Sequence, residues 1–197
     1  MVGIPRALSL AANATAARAR VHRRPSPAVA VGAIFALLLM NIAVFMLPID
    51  YQVFGAWAYP GVFLITFLAN AAVALPIPYL PIVSQVARTA EFVPLVVLTA
   101  AVASVLGESV AYAIGRIEKD LFSEHPVYRR LQSLVGRPVR AGLVLFVLAV
   151  PLNPLFDVAG IAAGALGIPY RIFFWSVFVG RLVRFAILVW GVSALFR

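Results

Sequence analysis

The chain of 197 residues is 63% hydrophobic and 12% charged, about half the charged share of a soluble domain, which excludes an ordinary soluble globular fold. The absence of cysteine excludes disulfides, thiolate metal sites, iron–sulfur clusters and a cysteine nucleophile. The net charge of +9 comes almost entirely from arginine, but the basic residues flank apolar runs, a placement that suits membrane topology and not nucleic-acid binding.

Residues 1–27 hold Arg6, Arg18, Arg20, Arg23 and Arg24 and no acid. This lead is too long and too polar for a signal peptide and reads as a cytoplasmic tail able to rest on anionic lipid. Residues 28–59 supply a first membrane helix, Ala28 to Leu47, and an external loop that follows Pro48 and Asp50 and carries Trp57 and Tyr59 as interface anchors. At a rise of about 1.5 Å per residue, twenty uncharged residues span the hydrocarbon core.

The remaining chain, 60–197, divides into five segments. A stretch at 61–92 is apolar but broken by Pro76, Pro78 and Pro81, so it is expected to enter the bilayer, turn and leave on the same side. A kinked but complete crossing is the alternative. A full helix is expected over 93–115. Residues 116–140 are polar and basic, hence cytoplasmic, with Leu121, Phe122, Tyr128, Leu131 and Leu134 spaced for a helix lying on the membrane surface. A second broken stretch, 141–168, turns at Pro151 and Pro154, and a last helix covers 169–195.

The two halves resemble one another. Ala74-Leu75-Pro76-Ile77-Pro78 parallels Ala149-Val150-Pro151-Leu152-Asn153-Pro154, and Gly107 to Ile114 parallels Gly180 to Ile187 as glycine, four residues, aromatic, alanine, isoleucine. If the similarity is more than chance, the long helices cross in opposite directions and the halves form an inverted repeat around a midplane site. The expected fold is therefore all-α and integral to the membrane, with three transmembrane helices and two re-entrant helical hairpins.

Three charges fall deep inside helices. Glu108, Arg181 and Arg184 would each cost about 2.5–3.5 kcal/mol near mid-bilayer if alone, so they need partners. The repeat sets Arg181 opposite Glu108, and Asp157 is the natural partner of Arg184. A purely structural ion pair is one reading. The other is a polar cavity in which Arg181 and Arg184 bind an anionic headgroup, guanidinium matching phosphate through paired hydrogen bonds, with Glu108 and Asp157 neutralising them when no headgroup is bound. Asn70 and Asn153 would add donors at the two turns, and Ser84, Gln85 and Arg88 would line the outer mouth. His22 and His125 lie in arginine-rich stretches. Neither a metal-ligand cluster nor an activated nucleophile stands out, so no enzyme, metal or cofactor is expected.

Taken together, Leu75-Pro76-Ile77-Pro78 after Asn70, Tyr112-x-x-Gly115-Arg116, Asp157 to Gly164 and Gly180-Arg181-x-x-Arg184 resemble the VTT domain of the DedA, or SNARE-associated Golgi protein, superfamily. The resemblance implies two facing re-entrant hairpins and lipid movement between leaflets, of phospholipid or polyprenyl phosphate, in a cell inner or plasma membrane with the N-terminus cytoplasmic. Where many members carry acids around the first hairpin, this chain has Ala69 and Tyr79-Leu80, so Glu108 and Asp157 would take that part. An ion-coupled solute transporter and a non-transporting structural protein are the alternative functions. Membrane lipids are the expected partners, nucleic acid is not, and a homo-oligomer is compatible with the sequence.

Overall fold

A computed structural model describes residues 27–47, 51–72, 77–118, 132, 137–151 and 155–195. Seven α-helices and no strand are found among the described residues. They are α1 Pro27–Met46, α2 Ala58–Ala71, α3 Tyr79–Thr89, α4 Val93–Ile117, α5 Pro138–Ala149, α6 Leu155–Ala165 and α7 Tyr170–Leu195, with a 3₁₀ helix over Tyr51–Trp57 before α2. Residues Met1–Leu39 and Met40–Arg197 form separate compact units. The anticipated surface helix within 116–140 lies almost wholly outside the described residues.

Among the described residues, three apolar stretches are long enough to cross a membrane: Val53–Ala71, Val93–Ile117 and Tyr170–Gly191. The second and third match expectation. The first does not, because the arm expected from Gly61 begins earlier. Pro60 sits in the first turn of α2, where backbone N–H groups have no helical acceptor and proline loses nothing. The 3₁₀ helix then extends the apolar run upstream, interrupted at Gly55 (φ 48°, ψ −129°). As a regular α-helix, α2 has only 14 residues.

Long helix α4 is the hub, packed against α2, α6 and α7, while α5 packs along α7. Close approach is made possible by glycine. A Cβ on Gly115 would overlap the carbonyl of Ile161, and one on Gly164 the carbonyl of Tyr112, so α4 and α6 meet backbone to backbone. Close backbone approach through small residues is how membrane helices associate without a hydrophobic drive. Gly107 does the same for α4 against Phe67 and Ala71 of α2, and Gly180 for α7 against Phe146 and Ala149 of α5.

Contacts fix the directions of the helices. Tyr59 of α2 accepts a hydrogen bond from the Phe92 N–H at the start of α4 (3.3 Å), and the end of α2 lies beside Gly107, so α2 and α4 run in parallel. Gly142 lies beside Ile172 and Ser176, and Ala149 beside Gly180, so α5 and α7 are parallel too. Helix α6 closes on Gly167 (φ 72°), with Gly167 N–H bonded to Gly164 O (3.0 Å) and Ile168 N–H to Ala163 O (3.1 Å). This is the Schellman termination, in which glycine supplies the left-handed residue. Pro169 follows and α7 starts at once.

Between α3 and the C-terminal end of α1, Gln85 Nε2 donates to Val44 O (2.7 Å) and Phe45 O (3.0 Å), carbonyls that a helix end leaves without intrahelical donors.

Candidate intramembrane charge site

On α4, Ser104, Glu108 and Tyr112 recur at intervals of four and lie on one buried stripe. Helix α7 runs antiparallel to α4 and brings Arg181 and Arg184 to it. Antiparallel alignment is fixed at the other end by Ser109 Oγ with Tyr170 Oη (3.0 Å) and by the tilted ring contact of Tyr112 with Phe173 (centroids 4.8 Å). Glu108 and Arg181 form an ion pair, Arg181 Nη2 donating to Glu108 Oε1, with 1% and 2% of their side chains exposed. Arg184, one turn further on the same face, is 7% exposed. The Glu108 Oε2 and Arg184 Nε atoms are buried and make no hydrogen bond among the described residues.

Where the pair sits follows from the packing. Glu108 is adjacent to Gly107, which α2 meets just before its break, and Arg181 is adjacent to Gly180, which α5 meets just before its own. Both interrupted helices therefore end at the level of the charge pair. Glu108 lies nine residues before the end of α4 at Ile117, and Arg181 eleven after the start of α7 at Tyr170, depths of about 13 and 16 Å.

Other residues singled out in the sequence fall into four groups. Asn70 is buried and fully engaged: Nδ2 donates to Thr66 O (2.7 Å) and Oδ1 accepts from Ser104 Oγ (3.0 Å), so it ties α2 to α4 one turn from Glu108. Ser84 and Gln85 do not line a mouth; both are buried, Ser84 donating to Pro81 O (2.8 Å) and Gln85 to α1. Only Arg88 of that trio is exposed. Pro78 precedes α3 and Pro151 is an exposed bend after α5. Pro76, Asn153 and Pro154, and the side chain of Asp157, lie outside the described residues.

Two features escaped the sequence reading. Tyr112 Oη donates to Ile168 O (2.7 Å), anchoring the α6–α7 turn to α4. The four-residue spacing of Gly160 and Gly164, the usual small-residue signature of membrane helix packing, would have indicated the α4–α6 crossing.

No curated protein and no solved structure matches the chain. The family model of the VTT domain matches residues 77–194, from just before α3 through Arg181 and Arg184 to the last turn of α7. With helices long and apolar enough to cross a bilayer and a match over more than half its length, the chain is an integral membrane protein that belongs to the VTT domain family of DedA and SNARE-associated Golgi proteins.

Proposed function

We propose that the chain moves anionic lipid headgroups between leaflets through the site around Glu108, Arg181 and Arg184. The observation that carries this reading is the level of the ion pair: both helix breaks stop beside it. A charge pair that only braced two helices has no need of two interrupted helices at its own depth. A path that must open to both faces has such a need, because broken helices let backbone and water reach the midplane.

The interrupted pairs α2–α3 and α5–α6 act as re-entrant hairpins. Their regular α-helices have 14, 11, 12 and 11 residues, lengths of about 21, 17, 18 and 17 Å, each short of the roughly 30 Å hydrocarbon core; only the first arm gains spanning length, through the 3₁₀ helix kinked at Gly55. The packing supports the same view, since α2 starts beside the start of α4 and α3 leads back to it, while α5 starts beside the start of α7 and α6 leads back there. In both halves the first arm of the hairpin runs parallel to its own long helix; α6 then packs chiefly on α4 of the other half, while α3 packs alike on α2, α4 and α7. The parallel first arms support an inverted repeat, and the basic N-terminal tail supports a cytoplasmic N-terminus.

In the resting state Arg181 is bound by Glu108. An arriving phosphate offers guanidinium a second acceptor of the same geometry; Arg181 exchanges carboxylate for phosphate, and Arg184 Nε supplies a further donor. The acyl chains stay in the bilayer throughout, no covalent bond changes, and Glu108 returns to Arg181 when the headgroup leaves.

The test is leaflet exchange of fluorescent phospholipids and of a polyprenyl phosphate in liposomes carrying wild type, Arg181→Ala or no protein. Exchange by wild type alone is expected. Equal exchange by folded Arg181→Ala would refute the site, and uptake of a water-soluble substrate without lipid exchange would replace the reading by solute transport.

A further inference from the structure

Away from the charge pair, a groove of about 660 Å³ runs between α5 and α7. One wall is the face of α5 from Pro138 to Phe146, the other the face of α7 from Arg171 to Val179, with residues at the same intervals on each helix. Because the helices are parallel, both walls start at one end. The lining is apolar except for Ser176 and, at that shared end, Arg171. Arg137 and Arg140 are exposed and adjacent in sequence to the lining residues Pro138 and Val139, in the N-cap and first turn of α5, and neither α5 nor α7 has an acid in its first turn. Among the described residues no carboxylate lines the groove.

We propose that this groove holds one anionic phospholipid as a resident ligand, its phosphate at Arg171, Arg137 and Arg140 and one acyl chain along the groove. Charge decides the occupant. A second copy of this chain docking face to face would set arginine against arginine, whereas an anionic headgroup is complementary to all three. Basic side chains in the first turn also oppose the helix dipole, so three of them at two adjacent helix starts repel one another until an anion sits between them. Each groove wall runs over nine residues of helix, a rise of about 12 Å, the reach of one chain into one leaflet. Gly142 keeps the floor open: a Cβ there would come within 3.0 Å of Ser176 Oγ. This site is distinct from the one at Glu108 and Arg181, and the lipid it holds is retained, not moved.

The test takes the full chain from nanodiscs of equal phosphatidylglycerol and phosphatidylcholine and counts retained lipid by native mass spectrometry. Wild type is expected to keep one phosphatidylglycerol. Arg171→Gln combined with Arg140→Gln, both exposed, should lower that retention about tenfold, as loss of charge-assisted hydrogen bonds does, and Val139→Phe should lower it without touching a charge. Equal retention of the two lipids by wild type, or unchanged retention in both variants, would overturn the proposal. Since the chain has no cysteine, Val139→Cys gives a unique label at an 83% exposed position. Efficient disulfide dimer formation by this variant in the bilayer would show the groove covered by a second copy and would also overturn it.

Discussion

Replacing either member of the Glu108–Arg181 pair by glutamine takes the opposite charge away from the other at a site where both side chains are at most 2% exposed. Breaking a buried pair in this one-sided way costs about 3–5 kcal/mol, because the remaining charge keeps its desolvation penalty and loses its attraction. Replacing both is different. The glutamine at 108 keeps the shape of the glutamate, the one at 181 is shorter than arginine, and no charge is left in the low-dielectric interior. The double variant is therefore expected to be less destabilised than either single one, by about 2 kcal/mol or less in total.

The assay is unfolding in mixed micelles for wild type, Glu108→Gln, Arg181→Gln and the combined variant, with lipid exchange measured on the same preparations. Strong non-additivity is the signature of direct contact. Losses that simply add would refute the pairing as an energetic unit. The exchange assay then separates structure from function: a stable double variant without lipid exchange places transport in the charges, and a stable double variant with full exchange leaves the pair a structural brace.

Three further outcomes follow from the packing. Gly115→Ala should destabilise by about 1–3 kcal/mol through overpacking against the Ile161 carbonyl, whereas Gly61→Ala, with nothing within 4 Å of the added carbon, should stabilise α2 by up to about 1 kcal/mol; equal melting temperatures would contradict the close α4–α6 approach. Gln85→Leu removes both donors to the end of α1 and should lower stability by about 1–3 kcal/mol, read in the same unfolding assay; no change would deny Gln85 its capping role. Exchanging the charges, Glu108→Arg with Arg181→Glu, should retain stability within about 2 kcal/mol yet abolish lipid exchange, since the arginine then leaves the helix that carries Arg184; retained exchange would separate Arg184 from the site.

How much of this was legible in the sequence depended on the range of the force involved. Glu108, Arg181 and Arg184 stood out because an intramembrane charge is expensive wherever it lies, and the repeat spacing then named the Glu108–Arg181 contact. Long helices α4 and α7 were evident from uninterrupted apolar length. The start of α2 was missed because Trp57 and Tyr59 were read as interface anchors in an external loop, whereas helix begins at Ala58 and Pro60 is harmless in its first turn. Gln85 and Tyr112 were also misjudged or missed, since each finds its acceptor on a distant element, 41 and 56 residues away in sequence, and a side chain's local pattern contains no information about a carbonyl so remote. Ser84 points the same way at short range: its hydroxyl returns to Pro81 O, a local bond that removes it from any cavity.

The position of the ion pair has a geometric consequence in the proposed inverted repeat. Two residues related by an approximate two-fold axis approach one another only if they lie near that axis, so Glu108 and Arg181, equivalent by spacing and in contact, occupy the centre of the arrangement. There, identical halves would bring identical side chains together. Two glutamates or two arginines would repel in a medium that hardly screens them, and opposite charges are the arrangement that closes the core. That choice makes the halves inequivalent: the cationic contribution, Arg181 with Arg184, belongs to α7, and the anionic one to α4. An anion moving through such a centre meets its donors from one half only, and the other half supplies the carboxylate that must be displaced.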